Sequence, residues 1–226
     1  MKFDQKKAVD GLSIQFIIEI IGTIAFASSG AMVAIRKRLD LFGVLVLGAT
    51  TAVGGGIIRD IILKISPPGA FQNPVYFGMA AATVGVIFLI CYLNPEFLDM
   101  QFLEGYERLM NILDAIGLGA FTVLGAQKAV SAGYENYRFL AVFLGVVTGV
   151  GGGLLRDMMA GITPYILKKH IYACASIVGA VVYMYGRLLI DDSAALISGA
   201  VVVVVIRLLA TRYRWNLPVA KVPRSK

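Results

Sequence analysis

Charge is what this chain has least of. Only 15% of its 226 residues are Asp, Glu, Lys or Arg, against roughly a quarter in ordinary soluble domains. Histidine is nearly absent too. His170 stands alone beside Lys168 and Lys169, so no dedicated metal site is expected. The two cysteines, Cys91 and Cys174, lie inside apolar runs without metal-type spacing and read as small buried hydrophobes. No Gly-Lys-Ser/Thr follows a glycine-rich stretch, which excludes a Walker A loop. No nucleophile–base pair and no cluster of ligands is visible, so enzymatic chemistry and a cofactor are not expected. No small-residue cleavage site clearly follows the first apolar run, so it does not read as a cleavable signal.

What is present is apolar. Hydrophobic residues make up 58% of the chain and the mean hydropathy is +0.78. Such a surface would aggregate in water, so the class is an all-α polytopic membrane protein. Lipid requires each segment to satisfy its own backbone, so even the valine-rich last run is read as helix. The apolar runs predict seven transmembrane helices, at 12–35, 41–63, 73–93, 109–130, 139–160, 171–185 and 194–210. Pro67-Pro68 and Pro164 break the chain after the second and fifth. The net charge of +7 sits mostly in loops and in the basic tail, 211–226, where it orients the protein rather than binding nucleic acid. Arg36, Lys37, Arg38, Arg108, Lys168 and Lys169 share a side with the tail bases. The positive-inside rule therefore places the C-terminus in the cytoplasm and the N-terminus outside, despite an acidic connector at 94–108.

The chain repeats itself. Glu19 matches Asp114, Gly22 matches Gly117, Phe26 matches Phe121 and Gly30 matches Gly125, all at one offset. After a two-residue insertion, Gly54-Gly55-Gly56 matches Gly151-Gly152-Gly153, and Arg59-Asp60 matches Arg156-Asp157. Repeat 1 is thus 12–93 and repeat 2 is 109–185, with the seventh helix outside them. Three spans per repeat is an odd number, so the two halves insert with opposite orientation. Inverted repeats of this kind place a solute or ion route at their interface near mid-membrane.

Two readings of the glycine triplets compete. They form a kink or unwound turn lining a polar path, or they let small-residue faces pack closely. Intramembrane charges are costly and usually pair. Neighbours on a helix point about 100° apart, so the pseudo-symmetry suggests crossed pairs, Arg59 with Asp157 and Arg156 with Asp60. Glu19 and Asp114 mark either an ion route or structural pairs. Lys128 either snorkels or faces the same cavity. Ser28, Ser29, Thr50, Thr51, Thr122 and Thr148 offer hydroxyls, although such side chains more often bond their own helix backbone.

With three spans, their inverted copy, a seventh helix and GGGxxRD in the second and fifth spans, the chain resembles the prokaryotic branch of the trimeric intracellular cation channel family. Bacterial members of that group also carry the label of a glycine-transporter-type domain. The resemblance covers residues 12–210 and matches Gly54, Gly55, Gly56, Arg59 and Asp60, with Gly151, Gly152, Gly153, Arg156 and Asp157. It implies a homotrimer in the cell membrane, each subunit holding its own pore for K⁺ and Na⁺, lined by glycine-broken spans 2 and 5. The Lys-Glu-Val signature of the animal members is not found, so their phosphoinositide regulation is not implied. A secondary carrier for a small amino acid such as glycine is the alternative. Amide groups at a broken helix would then hold its carboxylate, and Glu19 or Asp114 its ammonium.

Overall fold

A computed structural model describes residues 2–94, 103–168 and 171–215, with side chains from 14–94, 105–167 and 171–215. Residues 95–102 of the acidic connector, Lys169 and His170, and the tail from 216 onward lie outside the described residues. Among the described residues all regular structure is helical. In chain order the helices are α1 (Lys2–Arg36), α2 (Leu41–Ile62), α3 (Gly69–Gln72), α4 (Val75–Leu93), α5 (Leu103–Ala129), α6 (Arg138–Met159), α7 (Tyr165–Lys168), α8 (Ile171–Gly186) and α9 (Asp192–Arg212). A π-helical turn, Val130–Tyr134, extends α5.

Six of these are long and apolar enough to cross a membrane, within α1, α2, α4, α5, α6 and α9. The sixth span of the sequence is the shorter α8, 16 residues and about 24 Å at the usual rise. The protein is therefore a seven-helix membrane protein of two inverted three-helix repeats, α1-α2-α4 and α5-α6-α8, followed by α9.

Local chemistry sets the helix ends. Asp40 caps α2, its carboxylate accepting from the Gly43 amide at 2.7 Å. Asp191 caps α9 in the same way through Ser193. The matched helices α2 and α6 stop identically. Lys64 and Gly161 both take left-handed backbone, at φ 57 and 64. The following amides, Ile65 and Ile162, then bond back to the Asp60 and Asp157 carbonyls at 2.9 Å.

Helix α5 lies at the centre, with 78% of its apolar window buried, whereas α4 buries only 11% of its own. Leu89, Ile90 and Leu93 of α4 are exposed, as suits a lipid-facing helix. The same reasoning corrects the expectation for the cysteines. Cys174 is exposed and Cys91 half-buried, because in lipid an apolar residue needs no core.

Candidate functional site

The two glycine blocks meet. A methyl group built on Gly55 would stand 2.1 Å from the Thr148 carbonyl oxygen, and one on Gly152 would stand 2.2 Å from the Thr51 carbonyl oxygen. Gly151 and Gly55 lie back to back. Helices α2 and α6 thus cross with their backbones in contact, which only glycine permits. The helix runs unbroken through both triplets, from Leu41 to Ile62 and from Arg138 to Met159. The expected unwound turn is therefore corrected to close helix packing. The hydroxyls of Thr51 and Thr148 each bond back to their own helix at 2.6 Å, on Leu47 and Leu144. Gly30 and Gly125 make room for those threonines. Phe26 and Phe121, another matched pair, stack at 5.4 Å beside the crossing.

The charges pair within each block, not across. Arg59 Nε donates to Asp60 Oδ1 at 2.8 Å, and Arg156 Nε donates to Asp157 Oδ1 at 2.8 Å. This corrects the crossed pairing. Both pairs sit in the last turn of a helix, where a long arginine folds back past the helix end onto its neighbour. The second oxygen of each aspartate is used as well. Asp60 Oδ2 accepts from the Gly69 amide at 2.7 Å and Asp157 Oδ2 from the Tyr165 amide at 2.8 Å. Those amides open the short helices α3 and α7, so each aspartate fastens the segment after the proline break to the end of its span. Burial raises the Tyr165 phenol above its ordinary value, so it stays neutral with its ring 5.6 Å from the Arg156 guanidinium.

Beyond this shared frame the halves differ. On the repeat 1 side, Glu19, Arg59 and Asp60 line a cavity of about 440 Å³ with Gly56 and Tyr76, and Gln127 and Lys128 of α5 close it from repeat 2. The Tyr76 hydroxyl donates to Glu19 at 2.6 Å. Lys128 faces this cavity, the second of its two readings. In repeat 2 the corresponding residues are packed shut. Arg156 is 0% exposed, against 11% for Arg59. Its Nη1 donates to Asp114 Oδ1 at 2.8 Å and also to the Ser29 hydroxyl of α1. Arg156 is thus tied to repeat 1 through a serine. Tyr172 and Arg156 close over Gly153, where an added methyl would meet the tyrosine hydroxyl at 2.9 Å. Arg207 of α9 completes the cluster, 3.8 Å from Asp114 Oδ2 and stacked 4.7 Å over Tyr172.

The sequence reading missed Arg207, Tyr76 and Tyr172. An arginine within an apolar span is itself a signal, because such charges are retained for a partner or a route. The tyrosines carried no comparable mark.

The same architecture occurs in known proteins. The sequence model of a family described as "Glycine transporter" matches residues 16–92 and again 111–187. The UPF0126 inner membrane protein YadS of Escherichia coli K12 is 39% identical over 203 residues, 89% of this chain and 93% of that one. A chain solved for the structural basis of conductance through TRIC cation channels is 35% identical, with a TM-score of 0.77 over 92% of this chain and 98% of its own length. The chain belongs to the trimeric intracellular cation (TRIC) channel family. The trimeric intracellular cation channel orthologue from Rhodobacter sphaeroides superposes with a TM-score of 0.80 at 29% identity, over 90% of this chain and all of that one. The double match of the family model mirrors the repeat.

Proposed function

We propose that this chain is a monovalent cation channel, passing K⁺ and Na⁺ through a path within each subunit of a homotrimer in the inner membrane. The supporting observation is the polar cavity that runs from the Lys128 end of α5 to Arg59 and Gly56 at the glycine crossing, in a chain similar to TRIC cation channels. The path continues past Gly54, Gly55 and Gly56 to Gly151, Gly152 and Gly153 and on toward Arg156. Conduction requires Arg156 to leave the position where Ser29, Asp114 and Asp157 hold it, so that residue is the gate of the reading. Asp60 neutralises Arg59 at 2.8 Å, which removes one obstacle to a cation. Glu19 supplies a carboxylate beside the route.

The N-terminus lies outside and the tail at 211–226 in the cytoplasm, so the cavity opens outward. Lipid surrounds α4 and the other exposed apolar faces. Single-channel recording of the purified protein in a planar bilayer tests the reading. Unitary K⁺ currents with a reversal potential that follows the K⁺ gradient are expected. Saturable glycine uptake without such currents would establish the alternative, a carrier for a small amino acid. One observation favours that alternative: the cavity balances Glu19 and Asp60 against Arg59 and Lys128, a pattern suited to a zwitterion. Chemical crosslinking in the membrane should give a trimer.

A further inference from the structure

Connecting turns ordinarily lie in water, because their backbone amides need partners that lipid cannot supply. The turn between α8 and α9 has no such need. The amides of Arg187 and Leu188 bond back to the carbonyls of Tyr183 and Tyr185, at 3.0 and 3.2 Å, and those of Leu189 and Ile190 both bond to the Gly186 carbonyl at 2.9 Å. Its apolar side chains nevertheless stand out from the fold. Leu189 is 87% exposed, Leu188 61% and Ile190 49%. In water, three adjacent apolar side chains would add to an unfavourable exposed patch. The charges of the turn are held by the bundle instead. Arg187 pairs with Asp192 at 3.5 Å, and Asp192 also accepts from the Tyr183 hydroxyl and the Gln127 side-chain amide, each at 3.0 Å. Asp191 caps α9.

The turn also lies low on the bundle. The Gln127 contact sets the start of α9 beside the last turn of α5. From that level α5 and its π-helical extension run on to Tyr134, about 10 Å further. Helix α8 supplies a second measure. Its 16 residues reach about 24 Å, short of the roughly 30 Å of a hydrocarbon core. Residues 187–190 continue its helical bonding and add about 6 Å, which closes the gap. Tyr134, Tyr137 and Tyr185 are exposed at this end, with the Arg138 guanidinium 5.2 Å over the Tyr185 ring. Tyrosines so placed mark a membrane–water interface.

We infer that Leu188, Leu189 and Ile190 form a wedge inserted among lipid acyl chains, so that the α8–α9 turn ends inside the edge of the bilayer and not in water. The partner of this face is the hydrocarbon of the surrounding lipid. The inference rests on membrane location alone and holds for a channel or a carrier.

Leu189→Cys and, separately, Leu188→Cys are made in the full-length protein carrying Cys91→Ala and Cys174→Ala. Each is spin-labelled and reconstituted in phosphatidylcholine vesicles. Collisions with oxygen, which concentrates in hydrocarbon, are compared with collisions with a water-soluble nickel chelate. Leu89→Cys on the exposed face of α4 gives the lipid standard, and Glu135→Cys in the α5–α6 turn gives the aqueous one. Both labels are expected to lose nickel collisions and gain oxygen collisions relative to Glu135→Cys, approaching Leu89→Cys. An oxygen-to-nickel ratio at either position no higher than at Glu135→Cys overturns the inference, because the turn then lies in water. Labels shielded from both reagents overturn it as well, because protein from a neighbouring subunit then covers the face.

Discussion

Replacing Gly55 by alanine tests the glycine crossing most directly. The new methyl would meet three backbone atoms of α6, with the Thr148 oxygen at 2.1 Å where ordinary contact begins at 3.4 Å. Backbone cannot rotate aside, so α6 as a whole must retreat by about 1.3 Å. That retreat also loosens the Gly151–Gly55 contact on the same seam. Overpacking of this kind costs about 1–3 kcal/mol and sometimes more, while alanine returns up to about 1 kcal/mol of helix propensity. With a rigid obstacle the upper end applies, so a net loss of about 2 kcal/mol is expected, or roughly 4–8 °C in Tm for a chain of this size. Gly56→Ala is the internal control, because its methyl meets only a flexible arginine tip at 3.7 Å. That variant should unfold at or slightly above the wild-type temperature. Gly152→Ala should fall with Gly55→Ala, since it meets the Thr51 oxygen at 2.2 Å. Thermal unfolding of the purified variants in one detergent reads all of these. If Gly55→Ala melts within a degree of Gly56→Ala, the triplets are not a packing device. If Gly55→Ala and Gly152→Ala differ widely, the two-fold equivalence of the crossing fails.

The matched arginines should respond unequally. Arg156→Gln leaves two buried aspartates short of a partner and should cost about 3–5 kcal/mol, whereas in Arg59→Gln the cavity and the Gly69 amide still serve Asp60, so the cost should be about 1–3 kcal/mol; equal losses on unfolding would contradict the closed and open halves. The crossed exchange of Arg59→Asp with Asp157→Arg should rescue nothing, and a double-mutant cycle on stability showing more than about 1 kcal/mol of recovery would revive crossed pairing. Lys128→Gln removes a positive charge from the cavity and should raise unitary K⁺ current, by up to about fivefold if the ion passes near 4 Å, where a unit charge in water is worth about 1 kcal/mol. Bilayer recordings with unchanged current would take Lys128 off the path.

Much of this fold was legible because lipid leaves the chain few choices. A run of apolar residues must be helix, and prolines and arginines mark where each run ends. The repeat was legible because Glu19, Gly22, Phe26 and Gly30 keep their spacing in the second half. The conformation of the glycine blocks was not legible, since the same triplet serves a broken helix or a close crossing. Which one forms depends on what lies opposite, here the Thr51 and Thr148 carbonyls. The pairing of Arg59 with Asp60 was hidden for another reason. Direction around a helix separates neighbours, but at the last turn a long side chain is no longer confined to its own radius. The use of Asp60 and Asp157 to hold α3 and α7 needs contacts across a proline break, which spacing alone does not reveal.

The seventh helix explains why halves built on one motif behave differently. If the repeats alone set the structure, the surroundings of Arg59 and Arg156 would be equally open. Helix α9 belongs to neither repeat and packs chiefly on α8 and α5. There it brings Arg207 against Asp114 and Tyr172, the residues that enclose Arg156. Glu19, the partner of Asp114 by sequence, keeps a tyrosine and an adjoining cavity instead. The asymmetry therefore has a local physical origin in one added arginine and the helix that carries it. On the channel reading, the symmetric crossing supplies the frame of the path, and the unrepeated helix seals one end of it.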